Sequence, residues 1–319
     1  MVEIGTIILG ISLALIATFC FNLAFILQKK GLTQGLPEIN FEEGIKSVFK
    51  SFVAFFQNKT WITGFILGIL GWFPYIISTG LVGILVVQPL MSLGLIILVI
   101  AAHRVLREKV TILEIIAIIL LGIVPILVTS AGISDVNINL YSFVGPLIIF
   151  LGITLSIGFL CFIISKRKRK TPSEALFILF AGGIFYAFGL IFTNILAQAI
   201  ADSHVFLLYF WEILFGIFWL DYYHLWLFLG FWGMVISNII SITFYQSAFQ
   251  KGKALIMYPI LNSFILIIPI LAGLFVFNQG FMNYPLFFIA IFIVLMSNIS
   301  LSKFQAKIET IEVSKKSEK

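Results

Sequence analysis

Long, nearly continuous apolar runs dominate the pattern of this chain. Nine of them are long enough to cross a bilayer as helices, since one crossing needs about 20 predominantly apolar residues. They cover residues 4–27, 61–80, 83–102, 111–131, 140–164, 174–200, 226–248, 255–277 and 284–302. Transmembrane barrel strands would instead alternate apolar and polar positions. The pattern therefore predicts an all-α polytopic membrane protein with nine transmembrane helices.

The composition points to the same class and excludes others. Of the 319 residues, 61% are apolar and 11% are charged, and the mean hydropathy is +1.14. About a quarter of the residues are charged in an average soluble domain. We therefore exclude a soluble enzyme, a disordered chain and a nucleic-acid-binding domain. Metalloprotease, hydrolase and P-loop motifs are missing from the sequence, so we predict neither an enzyme nor a bound cofactor.

The basic residues predict the orientation. With the N-terminus outside and nine spans, all 20 Lys and Arg fall on the inner side, as the positive-inside rule requires. A tenth apolar run, 205–220, would put the last seven of these residues outside if it crossed the membrane. We therefore interpret the segment of about 203–224 as interfacial or re-entrant, and residues 304–319 as a cytoplasmic tail. The expected location is the cell's plasma membrane.

A second segment that does not cross the membrane is predicted in the long first inner loop. Apolar residues recur there at helical spacing over about 41–57, with Lys46 and Lys50 on the other face. This pattern is typical of an amphipathic helix lying on a bilayer surface, with its lysines reaching toward anionic headgroups. We therefore expect such a helix on the inner leaflet.

The order of the spans predicts an inverted repeat. Spans 2–4 resemble spans 7–9 in layout, since Pro89 and Pro259 each follow a polar residue near the start of a span. The two halves, 1–139 and 140–303, would each contribute four spans, with span 5 as connector. Matched helix breaks of this kind point to a secondary transporter. The alternative for either proline is a simple packing kink.

Short motifs resemble those of a known family. Residues 25–32 are similar to the signature of the NIPA-type magnesium transporters, within the drug/metabolite transporter (EamA-like) superfamily. Residues 88–90 and 106–109 resemble the Pro-Leu helix and the Glu-containing turn of that superfamily, and parts of 245–260 resemble the matching second half. Asn278 and Gln279 stand where family members often have an acidic residue. The resemblance implies a NIPA-like transporter, chiefly of Mg²⁺.

Polar side chains inside the predicted spans are the candidates for substrate binding. They are Asn22, Gln88, Asn194, Asn238, Ser241, Tyr258 and Asn262. For each one, the alternative is a hydrogen bond between neighbouring helices, which is what most amides in membrane helices form. A cavity lined by amide and hydroxyl oxygens suits a hydrated divalent cation, and it suits a neutral or zwitterionic metabolite equally well.

Acidic residues on the predicted outer side are candidates for cation recruitment. Glu212 and Asp221 belong to an outer face that has five carboxylates and no Lys or Arg, and such a face raises the local cation concentration. The alternative is an interfacial Glu reaching water. Two functions stay open: NIPA-like transport of Mg²⁺ or another divalent cation, and export of a small organic solute.

Overall fold

A computed structural model describes residues 4–32, 36–37, 44–96, 111–135, 142–168, 172–203, 210–251 and 254–317. These described residues form eleven α-helices, one 3₁₀-helix and a two-stranded antiparallel sheet. In chain order the elements are α1 (Ile4–Leu32), α2 (Ile45–Gln57), α3 (Lys59–Val82), α4 (Ile84–Met91), α5 (Ile112–Ser130), β1 (Ile133–Asp135), α6 (Val144–Arg167), α7 (Pro172–Ser203), α8 (Phe210–Phe215), the 3₁₀-helix (Gly216–Trp219), α9 (Tyr222–Lys251), α10 (Ala254–Phe275), β2 (Gly280–Phe281) and α11 (Tyr284–Ser317).

The helices include several that are suited to crossing a membrane. Within the described part of the chain, six are long and apolar enough, namely Ile4–Ala24, Lys59–Val82, Val144–Arg167, Ser173–Ala201, Tyr222–Tyr245 and Tyr284–Leu301. Three shorter apolar helices, Ile84–Ile96, Ile115–Ser130 and Ile260–Phe275, occupy the other three predicted spans. The chain is therefore a mostly helical integral membrane protein. Residues 97–102 of the third predicted span lie outside the described residues.

Large apolar side chains cover the outer faces of the helices. On α6, Ile148 is 65% exposed, and Ile149 and Phe159 are 64% and 61% exposed. Contiguous apolar surface of this kind is unfavourable in water and favourable against lipid tails. The exposed faces are therefore the lipid-facing side of the bundle.

Two helix pairs are packed closely through glycines. α1 lies against α3, and an added Cβ at Gly64 would come within 2.6 Å of the Ala24 carbonyl oxygen. α7 lies against α9, and an added Cβ at Gly230 would come within 2.9 Å of the Leu196 backbone nitrogen. Small residues let membrane helices approach closely, which is the main source of their packing energy.

Each of these two pairs also contains a buried hydrogen bond between its helices. In α3, the Ser78 hydroxyl donates to the Gly10 carbonyl of α1 at 2.7 Å. In α9, the Ser241 hydroxyl donates to the Gly182 carbonyl of α7 at 2.9 Å. Both serines are fully buried. In each pair, the serine lies in the C-terminal half of the second helix and the glycine in the N-terminal half of the first.

The two prolines expected to break helices behave differently. α4 ends at Met91, and the N–H groups of Ser92 and Leu93 then bond to carbonyls three residues back, a 3₁₀-type pattern that follows directly on Pro89. α10 runs without interruption through Pro259. That proline is the sixth residue of its helix, where it has no N–H to donate to the carbonyl of Leu255, so the helix continues past it with one hydrogen bond fewer.

The helix α2 is shorter than the predicted amphipathic segment. It begins after Gly44, whose φ of 80° favours glycine, and residues 41–43 lie outside the described part. One face buries Phe55 against Trp61, with ring centroids 5.5 Å apart. The other face exposes Phe49 and the two lysines predicted to reach headgroups. Its position on the inner leaflet remains a prediction.

A short sheet joins the two halves, which the apolar pattern did not predict. β1 follows α5, β2 lies between α10 and α11, and the two strands pair in antiparallel fashion. The pairing continues past the strands, where the N–H groups of Met282 and Asn283 bond to the carbonyls of Gly132 and Ala131 at 2.8 and 2.9 Å. The sheet thus ties the end of the first half to the α10–α11 connection.

We predict that the glycine contacts limit stability. Gly64→Ala and Gly230→Ala should each lower the unfolding free energy by about 1–3 kcal/mol, because the added methyl group meets backbone atoms. Gly152→Ala is the matched control, since no atom lies within 4 Å of its added Cβ. Thermal unfolding of the detergent-purified variants tests this, and equal midpoints for Gly64→Ala and Gly152→Ala would contradict it.

Candidate functional site

A cavity of about 230 Å³ lies between helices of the predicted first half, 1–139, and helices of the predicted second half, 140–303. Helices α1, α3 and α4 contribute one side, and α7, α9, α10 and α11 contribute the other. Its walls combine apolar rings, such as Phe21, Phe65 and Trp72, with many polar side chains. The polar lining residues are Asn22, Gln28, Gln88, Ser92, Tyr186, Asn238, Tyr245, Asn262 and Asn298.

The cavity lies toward one end of the bundle. We call this the basic end, because Lys59, Lys166 and Lys251 lie there at the ends of α3, α6 and α9. Tyr245 is six residues before Lys251, about 9 Å along the helix, and Gly68 is nine residues after Lys59, about 14 Å. We call the opposite end the acidic end.

Two asparagines hold fixed orientations in the cavity wall. The amide nitrogens of Asn22 and Asn238 each donate to the carbonyl oxygen four residues earlier, those of Thr18 and Met234, both at 2.8 Å. A carbonyl oxygen only accepts, so the amide nitrogen must face it. No hydrogen bond to either Oδ1 is found among the described residues. Each side chain therefore has its carbonyl oxygen left to accept a bond.

Gln88 repeats this arrangement on the side of the cavity that faces the acidic end. Its Nε2 donates to the Tyr75 hydroxyl at 2.6 Å, and both side chains are buried, with Gln88 only 1% exposed. Its Oε1 has no partner within the described part of the chain. Leaving a buried acceptor unpaired costs about 1–3 kcal/mol, so this oxygen calls for a polar ligand or water in the cavity.

Asn298 is a cavity residue that the sequence analysis missed. It lies on α11, is 1% exposed, and neither its Oδ1 nor its Nδ2 has a partner among the described residues. The signal that could have found it is simple, since it is the only amide side chain in the last predicted span, 284–302.

The cavity brings together part of the predicted substrate-binding set. Asn22, Gln88, Asn238 and Asn262 line it. Asn194 is buried in α7 and is not among the lining residues, and Ser241 bonds across helices to a carbonyl, the alternative expected for such residues. The Tyr258 side chain, like that of Pro259, lies outside the described residues.

The two candidate recruitment residues meet at a histidine near the acidic end. Asp221 caps α9, its Oδ1 accepting from the N–H groups of Tyr223 and His224 at 2.9 and 3.1 Å. Its Oδ2 contacts the His224 ring at Nδ1. Glu212, on α8, lies 3.6 Å from Nε2 of the same ring. The six-residue α8 is far too short to cross a bilayer, and His224 was not predicted to join this cluster.

Hydrogen bonding controls the charge of Asp221. Slight burial raises the pKa of this carboxyl, but bonds from the His224 backbone and ring and from the Tyr223 backbone outweigh burial and hold the pKa below its usual value. The carboxylate is therefore ionised at neutral pH. Because its pKa is lowered by folding, its stabilising effect is present at neutral pH and is lost as the pH falls through that lowered value.

The fold and the cavity define a polytopic helical membrane protein with a polar chamber between its halves. Part of the chain is similar to the "Probable magnesium transporter NIPA9" of Arabidopsis thaliana, with 34% identity over 123 residues. This match covers 39% of the chain and 34% of that relative, so the chain spans only about a third of its length. No family model and no solved structure matches.

We predict that Asp221 stabilises the start of α9 in a pH-dependent way. Asp221→Ala should lower the unfolding free energy by about 1 kcal/mol near neutral pH, the usual cost of losing an N-cap. Asp221→Asn is the control, since it keeps a capping oxygen but not the charge, and should lose less. Unfolding midpoints measured against pH test this: the Asp221→Ala deficit should shrink in acid, and a constant deficit would contradict it.

Proposed function

We propose that this chain is a secondary transporter that carries Mg²⁺, or another divalent cation, across the membrane by alternating access. The observation that carries the proposal is the amide-lined cavity between the two halves. The similarity to a probable magnesium transporter supports the choice of cation. Polar side chains are costly inside a bilayer, and a group of them around one chamber is the usual mark of a substrate path.

The mechanism we propose uses two inverted halves of four spans each, with α6 as connector. The matched bonds of Ser78 to Gly10 and of Ser241 to Gly182 support this repeat, since related helices make them in both halves. The glycine-packed pairs α1–α3 and α7–α9 would then move as rigid units. Rocking of such units about a central site exposes it to one side at a time.

In this account, the structure corresponds to a state closed at the acidic end. There α4 lies against α10 so closely that an added Cβ at Gly273 would come within 2.4 Å of the Leu85 side chain. The Gln88–Tyr75 bond lies on the same side of the cavity and joins α4 to α3. Opening toward the acidic end would require these contacts to separate.

Glu212 and Asp221 would raise the cation concentration near the acidic end. Both lie at an end that the positive-inside rule assigns to the outside of the cell membrane. Carboxylates at a pore entrance attract cations over about a Debye length, and salt weakens the attraction. The two residues would thus act on the approach of the cation, not on its passage.

Export of a small organic solute is the second candidate function. The observation that favours it is the aromatic part of the cavity wall, where Phe21 and Trp72 pack edge to face at 5.4 Å and Phe65 lies nearby. Aromatic walls with a few polar groups are typical of pockets for organic ligands. Measurement of Mg²⁺ flux into proteoliposomes distinguishes the two candidate functions.

We predict that proteoliposomes containing the purified protein take up Mg²⁺ faster than empty liposomes, as read by an enclosed fluorescent indicator. Uptake should saturate with external Mg²⁺ and should respond to an imposed membrane potential, since a net charge crosses the bilayer. Flux equal to that of empty liposomes would refute cation transport and favour the organic-solute function.

The recruitment role predicts a change in apparent affinity alone. The double variant Glu212→Gln, Asp221→Asn should raise the apparent KM for Mg²⁺ by about two- to fivefold at low salt and leave the maximal rate unchanged, because only the local cation concentration changes. High ionic strength should remove the difference between variant and wild type, which serves as the internal control. Unchanged kinetics at low salt would show that recruitment is wrong.

A further inference from the structure

Three of the six amide side chains that line the cavity share an orientation that selects for a kind of ligand. Asn22, Gln88 and Asn238 each use the amide nitrogen on a protein acceptor, and their carbonyl oxygens remain without a described partner. We propose that the cavity binds a divalent cation with its water shell intact, through hydrogen bonds from the bound waters to these oxygens. This inference rests on the proposed function and names the form in which the cation is carried.

The direction of the available hydrogen bonds favours a hydrated cation. A water bound to Mg²⁺ points its oxygen at the metal, which draws electron density from the O–H bonds. Its two hydrogens therefore point outward and act as strong hydrogen-bond donors. Amide oxygens accept such bonds, whereas amide nitrogens would repel the shell. Since the nitrogens of Asn22 and Asn238 are held by backbone carbonyls, these two side chains cannot turn them inward without breaking a bond.

The energy of hydration also favours an intact water shell. Mg²⁺ gives up its waters reluctantly and is usually held in proteins with several of them in place. Amide oxygens that meet the waters leave the shell undisturbed and avoid the cost of stripping it. They also hold the ion weakly enough to let it leave, which a transporter needs as much as binding.

The volume of the cavity can be compared with that of a hydrated ion. Mg²⁺ binds oxygen at about 2.1 Å, and a water adds a radius of about 1.4 Å, so the hexahydrate is a sphere of roughly 3.5 Å radius and about 180 Å³. The cavity volume of about 230 Å³ exceeds this value. A bare ion would fill only a small part of it.

Asn298 and Gln88 each supply an unpaired oxygen that such a ligand would satisfy, whereas the unpaired Nδ2 of Asn298 needs an acceptor that the water shell does not offer. Both side chains are 1% exposed and line the cavity, from α11 and α4 respectively. Their unpartnered oxygens lie in the half-chains that the proposed mechanism moves against each other. A hydrated ion that bonds to both would therefore bridge the two halves at the point where they separate.

The test uses cobalt(III) hexammine, an ion close in size to hydrated Mg²⁺ that presents N–H donors and exchanges its ammonia ligands far too slowly to lose them on binding. Calorimetry of the detergent-purified full chain should detect hexammine binding, and Mg²⁺ should displace it. In proteoliposomes, hexammine should raise the apparent KM for Mg²⁺ at least tenfold without lowering the maximal rate. Absence of binding, or Mg²⁺ uptake that hexammine leaves unchanged, would overturn the inference.

Substitutions locate the site. Asn22→Leu and Asn238→Leu should each weaken hexammine binding about tenfold, as expected for loss of one charge-assisted hydrogen bond. The controls are Ser12→Ala on α1 and Thr243→Val on α9, whose hydroxyls bond only to their own helices on exposed faces. Equal affinities for Asn238→Leu and Thr243→Val would place the bound ion elsewhere.

Failure of this inference is distinguishable from failure of the proposed function. Hexammine binding is measured without transport, so it tests the site even if the liposomes show no flux. Mg²⁺ uptake with no hexammine effect would keep the transporter and reject the intact water shell. Hexammine binding that Mg²⁺ displaces, in a protein without Mg²⁺ flux, would keep the site and reject transport.

Discussion

A polar side chain inside a bilayer has no bulk water to bond with, and this constraint orders the interior of the protein. Ser78 and Ser241 meet it by bonding to backbone carbonyls of the neighbouring helix, which leaves nothing polar to offer a ligand. Asn22 and Asn238 satisfy this constraint only in part. Each amide has a nitrogen and an oxygen, and only the nitrogen bonds to a carbonyl of its own helix. The oxygen has no described partner in either residue, and both side chains line the cavity.

Close glycine packing forms two pairs of helices beside the cavity. The helices approach each other through Gly64 in the α1–α3 pair and through Gly230 in the α7–α9 pair. Both pairs contribute residues to the cavity wall. The packing that stabilises each pair therefore also fixes part of that wall.

The apolar pattern predicted much of the fold, because bilayer thickness requires long runs whatever the tertiary contacts. A helix lies in each of the nine runs, and α2 occupies most of the predicted amphipathic segment. The strand pairing of β1 with β2 could not be predicted, since it depends on backbone contacts between segments about 145 residues apart. The continuation of α10 through Pro259 could not be predicted either, since a proline inside a helical pattern can end the helix or leave it continuous.

The cavity was harder to predict than the spans. Residue type singled out Asn22, Gln88 and Asn238, which line the cavity, but it could not distinguish them from Ser241, which bonds to a carbonyl. That distinction depends on which side of a helix meets the chamber, and hence on how the halves pack. Asn298 was not predicted for the same reason, since its place in the cavity wall follows only from the packing of α11.

The central claim is that the cavity opens to one side of the membrane at a time, and cysteine accessibility tests it most directly. Gln28 lines the cavity toward the basic end, and Cys20 and Cys161 can be replaced by serine to leave Gln28→Cys as the single thiol. In Mg²⁺-free membranes, an impermeant thiol reagent should modify this cysteine rapidly from the basic side and slowly from the acidic side, and Mg²⁺ should slow the reaction. Equal rates from both sides would indicate an open pore and contradict the account.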